Sequence, residues 1–289
     1  MKTARFAAIL FIVFSIGELS AEAASADEPV ITLEKVEIDQ YELPYLDKAF
    51  IDEVRLDFLM KTLEEKMYQA PENAAFDEHG KLMEEKPGYT LDKQQFEKVF
   101  REAFYSSENE GVTVPGMAIH PRVDEALLME ISEKEIGSYA TNFRESNKER
   151  SHNIQLATEA IDNHVVFPGK RFSFNEVVGE RTAERGYKQA PVIVKGELSE
   201  DIGGGICQVS STLFNAVDLK GIQIVERYAH SRSVPYVPPG RDATVSWWGP
   251  DFVFKNEYNQ PVLIRANSTN GRMAVRLFTS ESAEYFRGE

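Results

Sequence analysis

Cys207 is the only cysteine among the 289 residues of this chain, and three consecutive glycines stand before it. A glycine run allows a tight turn and a close approach of the backbone. The residues Val209, Leu213 and Ala216 then recur at helical spacing. This pattern predicts that Cys207 lies at the N-terminus of a helix, directly after a glycine turn.

A cysteine in that position can carry nucleophilic chemistry. Free backbone N–H groups and the positive end of the helix dipole favour the thiolate form of Cys207. The turn that contains Gly204, Gly205 and Gln208 could also hold the oxyanion of an acyl-transfer reaction. The alternative interpretation is a buried and inert cysteine beside a packing turn.

His230 and Asp242 are the candidate partners of Cys207, with His230 as the general base and Asp242 as the group that orients it. We expect the histidine to follow one strand and the aspartate to precede another. A helix with Cys, a strand with His and a strand with Asp is also the layout of papain-like and transglutaminase-like thiol enzymes. Alternatively, His230 is a core or loop histidine, and Asp242 shapes a turn after Gly240.

Three further residues have two open interpretations each. Arg227 could bind a substrate carboxylate or form an ion pair within the protein, and Trp247 could wall the opening of the site. Asp251 is a rival to Asp242 and is also a plausible turn residue beside Pro250.

Metal and cofactor sites are not predicted. One cysteine and scattered histidines do not match the ligand spacing of a zinc site. The run of glycines lacks the spacing of a phosphate-binding loop or a dinucleotide fingerprint. We therefore expect neither a metal ion nor a cofactor.

Composition and charge narrow the class of protein. Apolar residues make up 42% of the chain, which is enough for packed cores. The formal net charge is −15, which argues against a nucleic-acid partner because nucleic acids attract clustered Lys and Arg. The oligomeric state is left open.

The N-terminus predicts export. Lys2 and Arg5 precede an apolar run at residues 6–14, and small residues follow at 21–26. This is the pattern of a secretory signal peptide over residues 1–26, with an uncleaved anchor as the alternative. No later stretch is long and apolar enough to span a membrane.

The first domain is expected over residues 27–124. The pattern predicts a strand at 30–38, a helix at 51–69, a hairpin around Gly80, and a helix at 94–105 capped by Thr90 or Asp92. The expected apolar face of the first helix consists of Ile51, Val54, Phe58, Leu59, Leu63 and Met67. This α+β order resembles a peptidoglycan-binding domain found ahead of cell-wall cysteine enzymes. The alternative is a generic α+β spacer. An acidic helical connector is expected at 125–136.

The second domain, residues 137–278, resembles the VanW family, and residues 279–289 form a tail. The matching residues are Arg150, Asn153, Ile154, Pro168, Gly169, 172–175, Val178, Gly179, 203–208, Glu226, Arg227, His230, 236–238, Gly240, 242–245, Asp251 and 254–256. The pair Trp247 and Trp248 departs from the pattern. The family is named from a glycopeptide-resistance cluster, so the resemblance implies a cell-envelope setting.

Two hypotheses follow for an exported α+β protein with a small first domain and a mixed helix and strand second domain. In the first, Cys207, His230 and Asp242 form a peptidoglycan amidase or transpeptidase that acts on stem peptides. In the second, the protein is a non-catalytic envelope module with a structural Cys207, and it binds a wall fragment or another protein.

Overall fold

The computed structural model describes residues 30–32, 41–43, 50–106, 112–194 and 197–285, so the predicted signal peptide lies outside the described residues. The helices are α1 Glu53–Met67, α2 Lys93–Tyr105, α3 Glu125–Glu130, α4 Lys148–Ile161, α5 Phe174–Val178 and α6 Ile206–Val217. The strands are β1 Val30–Thr32, β2 Ala75–Phe76, β3 Leu82–Met83, β4 Gly88–Leu91, β5 Thr113–Ile119, β6 Lys134–Asn142, β7 His164–Val166, β8 Arg171–Ser173, β9 Gln189–Val194, β10 Glu197–Ile202, β11 Ile222–Glu226, β12 Val253–Asn256, β13 Val262–Thr269 and β14 Arg272–Thr279. Helices beside small antiparallel sheets confirm the predicted α+β class.

The chain divides into two compact units, one formed by residues 1–73 with 85–122 and the other by 74–84 with 123–289. In the first unit the strands order as β1-β5-β4, and α1 and α2 contribute Leu56, Leu63, Phe96 and Phe100 to the core. Asp92 caps α2, as predicted, because its carboxylate accepts from the backbone N–H of Gln95 at 3.0 Å.

The predicted apolar face of α1 is wrong in part. Val54 is 79% exposed and Phe58 is 73% exposed, whereas Leu56 and Leu63 are buried. Residues two apart on a helix are about 200° apart around its axis, so burying Leu56 turns Val54 and Phe58 away from the core. The other predicted positions are confirmed, because Ile51 and Leu63 are buried and Leu59 and Met67 pack against the same core.

The second unit contains the sheet β6-β14-β13-β7, with α4 packed on β13 and α6 packed on β6 and β14. A second sheet, β11-β12-β8, and the hairpin β9-β10 complete the larger part of this unit. Helix α4 buries Ile154, Ala157 and Ile161, with Ala160 partly buried beside them. Helix α6 is buried along almost its whole length, which is the pattern of a core helix.

The division of the chain differs from the expected one at the hairpin β2-β3 and at α3. The hairpin forms as predicted but belongs to the second unit, where the backbone N–H of Ala74 donates to Val123 O at 2.8 Å. Residues 125–136 are not an open connector, because Leu128 and Ile131 are buried in one cluster with Leu263. Apolar side chains therefore fix this segment to the second unit.

A candidate thiol site at the start of helix α6

The glycine turn places Cys207 as predicted, at the second residue of α6. Gly205 precedes the helix with φ +110°, a conformation that side chains rarely allow. A Cβ atom on Gly204 would lie 2.5 Å from the backbone oxygen of Ala190, so only glycine fits there. The Cys207 side chain is half-buried.

Helix α6 holds the segment that carries Asp242 through its own hydroxyl groups. Ser210 Oγ donates to Ala243 O at 2.6 Å, and the backbone N–H of Ala243 donates to Ser211 Oγ at 2.9 Å. Thr244 follows Ala243 in the chain, and its Oγ1 atom lies 3.7 Å from Cys207 Sγ. The aspartate segment therefore lies directly beside the thiol.

Asp242 is the carboxylate that faces His230. Its Oδ2 atom lies 2.6 Å from both the backbone N and the ring Nδ1 of His230. Because Nδ1 is bound to the carboxylate, Nε2 is the ring nitrogen left to interact with Cys207, and the imidazole and the thiol are close enough to shift the pKa of each other. The structure brings Cys207, His230 and Asp242 together.

The supporting backbone is not the expected pair of strands. Strand β11 ends at Glu226, and His230 and Asp242 both lie in irregular segments beyond it. A single bridge joins these segments, in which the backbone N–H of Thr244 donates to Tyr228 O at 2.8 Å. Strand β11 confirms the strand expected before His230. The strand expected after Asp242 is wrong, because that segment is held by side-chain hydrogen bonds from α6 and by this one bridge.

The electrostatics favour an ion pair between thiolate and imidazolium. Burial would raise the pKa of the Cys207 thiol, but the hydrogen bond and charge of His230, with contacts to Val245 and Thr244, hold that pKa below its usual value. Burial would lower the pKa of His230, but Cys207 and Asp242 raise it. The pKa of Asp242 is lowered, since its hydrogen bonds to His230 outweigh its burial.

The guanidinium group of Arg227 is bound to protein groups. Its Nε donates to Asp242 O at 2.7 Å, its Nη2 donates to Gly240 O at 2.6 Å, and its guanidinium lies 4.4 Å from the centre of the Phe214 ring. With Nη2 also 3.9 Å from Asp242 Oδ1, these contacts match the second interpretation, in which Arg227 forms an ion pair within the protein. Arg227 also positions the backbone of Asp242.

Fewer backbone N–H groups of the glycine turn are free to bind an oxyanion than the sequence indicated. The backbone N–H of Gln208 donates to Gly205 O at 3.0 Å, and the backbone N–H of Ile206 donates to Gly203 O at 3.2 Å. Within the described residues the backbone N–H groups of Gly204, Gly205 and Cys207 have no acceptor, and the N–H of Cys207 is the one on the residue that carries the thiol, so it is a donor available to an oxyanion. The Gln208 side chain is buried and bonded to protein groups, which corrects its assignment as a substrate contact.

The remaining candidate residues, Asp251 and Trp247, have different surroundings. Asp251 accepts from the backbone N–H groups of Asn175 at 2.9 Å and Phe252 at 2.7 Å, so it shapes the start of α5 and is not a partner of His230. Trp247 and Trp248 form an edge-to-face pair, and Trp248 is 87% exposed. Trp247 follows Val245, whose carbonyl lies 3.5 Å from Cys207 Sγ.

Arg150 and Tyr236 are site residues whose roles sequence reasoning missed. Arg150 Nη2 donates to Gln208 Oε1 at 2.8 Å, and its charge interacts with Cys207. Burial raises the pKa of Tyr236, and the charge of Cys207 acts in the same direction. Both residues appeared only as part of the family pattern, and no local spacing linked them to Cys207.

Among the residues that the structure describes, no cluster of three or more His, Cys, Asp and Glu side chains is placed to hold a metal ion. None of the helices in the described ranges combines the length and the apolar character needed to cross a membrane.

The fold and the site define an α+β protein with a Cys–His–Asp arrangement at the start of a buried helix. Residues 149–278 match the family described as "VanW like protein". The chain is 53% identical over 250 residues to the uncharacterized protein YoaR of Bacillus subtilis (strain 168), an alignment that covers 86% of this chain and 82% of the relative. This chain belongs to the VanW family.

A second relative is more distant. The chain is 29% identical over 110 residues to the vancomycin B-type resistance protein VanW of Enterococcus faecalis (strain ATCC 700802 / V583), covering 36% of this chain and 40% of that protein. No solved structure matches the chain. The family match spans Arg150, Cys207, His230 and Asp242.

Proposed function

We propose that this protein is a thiol-dependent acyl-transfer enzyme of the cell envelope, an amidase or transpeptidase that acts on peptidoglycan stem peptides. The observation that carries the proposal is the arrangement of His230, with Nδ1 at 2.6 Å from Asp242 and the opposite edge of the ring at Cys207. Nucleophile, base and orienting carboxylate in this order define the triad chemistry.

The reaction begins with attack of the Cys207 thiolate on the carbonyl carbon of an amide donor, after His230 has taken the thiol proton. The Cys207 amide N–H stabilises the developing oxyanion. When the C–N bond breaks, the imidazolium gives its proton to the leaving amine and a thioester remains. Water or a second amine then attacks the thioester with His230 as base, and the thiol leaves.

The envelope setting rests on three supports. The N-terminal residues have the pattern of a secretory signal peptide. The first domain resembles a peptidoglycan-binding domain in its element order. One relative carries vancomycin resistance in its name. Together these features favour a wall peptide over an intracellular substrate.

The test compares the wild-type protein with Cys207→Ala on purified peptidoglycan, with products identified by mass. An amidase adds the mass of one water to its products, and a transpeptidase joins two peptides with loss of an amine. We expect new products only from the wild type. Identical product masses from both proteins would exclude the thiol mechanism.

The alternative function is a non-catalytic envelope module, and the exposed Trp248 beside Trp247 is the observation that favours it. Exposed aromatic rings bind partners through large contact areas. Iodoacetamide distinguishes the two functions, because an activated Cys207 reacts in the native protein below about pH 7. A cysteine that reacts only after unfolding supports the binding module.

A further inference from the structure

Arg150 is held rigidly beside the glycine turn. It lies in the first turn of α4, and its Cγ atom would be 3.0 Å from a Cβ atom on Gly205. Its Nη2 donates to Gln208 Oε1 at 2.8 Å, while Gln208 Nε2 donates to Thr141 Oγ1 at 2.9 Å. The guanidinium group is therefore oriented before any ligand arrives, next to the residue that follows Cys207.

The charge of Arg150 has no carboxylate partner within ion-pair distance in the described ranges. This is notable in a chain with 47 acidic and 32 basic residues. Its Nε and Nη1 atoms have no protein acceptor, and every fully buried side-chain nitrogen or oxygen of the described residues has a partner. The Nε and Nη1 groups must therefore reach solvent.

Two neighbours interact with the charge of Arg150. Burial lowers the pKa of Arg150, while the charges of Tyr236 and Cys207 act in the opposite direction. The guanidinium thus lies within electrostatic range of the thiol, partly desolvated and unpaired. A planar guanidinium in this state matches a carboxylate through two parallel hydrogen bonds.

We propose that Arg150 binds an ionised carboxylate of the substrate and so selects acyl donors that carry this group close to the bond that Cys207 attacks. The inference rests on the proposed function and specifies its substrate class. Arg150 is a specificity-determining residue, whereas Cys207 and His230 act on the reacting bond.

Arg181 is the natural matched control. It is also partly desolvated and interacts with the Cys207 charge. Its Nη1, however, already donates to Asn175 Oδ1 at 2.9 Å and to Gly179 O at 3.0 Å, and Asp251 is within its electrostatic range. Removing Arg181 tests whether any nearby positive charge has the same effect.

The first experiment uses two alkylating reagents of similar size, anionic iodoacetate and neutral iodoacetamide, on native protein. Charge-assisted hydrogen bonds predict that Arg150→Gln lowers the ratio of the iodoacetate rate to the iodoacetamide rate by about tenfold or more. Arg150→Lys keeps the positive charge but loses the two parallel N–H donors of the guanidinium, so the iodoacetate-to-iodoacetamide rate ratio should lie between those of the wild type and Arg150→Gln. Thermal unfolding confirms that each variant is folded.

An equal fall of the rate ratio in Arg181→Gln would overturn the proposal. It would show that any positive charge near Cys207 attracts the anionic reagent, without a specific carboxylate site at Arg150. An unchanged ratio in Arg150→Gln would overturn it as well. If both reagents instead slow together, Arg150 only stabilises the thiolate, and the inference is wrong.

A second experiment separates this inference from the proposed function. Calorimetry on Cys207→Ala compares N-acetyl-alanylalanine with its carboxamide. We expect the free acid to bind about tenfold tighter, and Arg150→Gln to remove the difference. A native protein whose thiol resists both alkylating reagents, but which still prefers the acid, would refute the acyl-transfer mechanism and support the carboxylate site. No preference for the acid would overturn the site.

Discussion

At the scale of single residues, Asp242 determines the orientation of the candidate site. One carboxylate oxygen, Oδ2, accepts from the backbone and from the ring of His230, and Arg227 holds the Asp242 carbonyl oxygen. The imidazole cannot rotate without losing these bonds. The proton on Nδ1 is thereby fixed, and Nε2 is kept for the thiol.

Replacing Asp242 with Asn should change the pH dependence of Cys207 alkylation. Loss of the carboxylate lowers the pKa of His230 and weakens the ion pair, so the pKa of the thiol should rise. We expect the iodoacetamide rate to require a higher pH in Asp242→Asn than in the wild type. The measurement is the alkylation rate between about pH 4 and 10, around the usual pKa of cysteine.

Asp251→Asn is the matched control, since it removes a carboxylate that contacts α5 and not His230. It should leave the pH profile of alkylation in place and cost less than about 1 kcal/mol in stability, because the Asn side chain still has an oxygen that can accept from these backbone N–H groups. A profile that shifts in Asp251→Asn and not in Asp242→Asn would reverse the assignment of the orienting acid.

Asp242 should also make the stability of the protein depend on pH. Its folded-state pKa is lowered, so its contribution is present above the unfolded value of about 3.9 and is lost as the pH falls through the folded value. The stability difference between the wild type and Asp242→Asn should therefore narrow in acid. Urea unfolding at a series of pH values measures it, and a difference that widens below about pH 4 would contradict the linkage.

At the scale of elements, the turn before α6 requires glycine for steric reasons. A methyl group at Gly204 would meet the backbone of Ala190 at 2.5 Å, and backbone atoms cannot move aside as a flexible side chain can. We predict that Gly204→Ala destabilises the protein by about 2 kcal/mol or more, in the range of overpacking. Urea denaturation provides the measurement.

Gly249→Ala provides the comparison, because its nearest neighbour, Ser246, is 3.6 Å from the position of the new methyl group. This variant should stay within about 0.5 kcal/mol of the wild type. Similar losses in both alanine variants would mean that the close packing at Gly204 is not what the turn requires.

At the scale of the whole molecule, the hairpin β2-β3 joins the second unit although it stands before it in sequence. The backbone N–H of Phe76 donates to Asn163 Oδ1 at 2.9 Å, and Arg265 lies 4.8 Å from the centre of the Phe76 ring. Together with the burial of Ala74 and Leu128 in one cluster, these contacts make the hairpin part of that core.

Phe76→Ala should therefore destabilise the second unit by about 2 to 3 kcal/mol, less than a fully buried Phe would cost because the ring is only half-buried. Hydrogen exchange should show lost protection in β7 and β13, which pair with one another. The control Phe58→Ala removes a ring that is 73% exposed and should cost less than about 0.5 kcal/mol. Lost protection confined to α1 in Phe76→Ala would contradict this grouping.

Several features of the site could be predicted from the sequence because they depend on neighbouring residues. The start of α6 next to Cys207 follows from adjacent glycines and from apolar residues three and four positions apart. The cap of α2 at Asp92 also involves only the next three residues. Interactions at this range depend little on the rest of the fold.

The tertiary structure alone decided which groups meet across long separations. Arg150 reaches Gln208 over 58 positions, and Arg227 reaches Asp242 over 15, so no local pattern could assign one to the opening and the other to the scaffold. The same holds for the choice of Asp242 over Asp251. Both acids follow turn residues in the sequence, and only the packing of residues 242–245 against α6 brings Asp242 to His230.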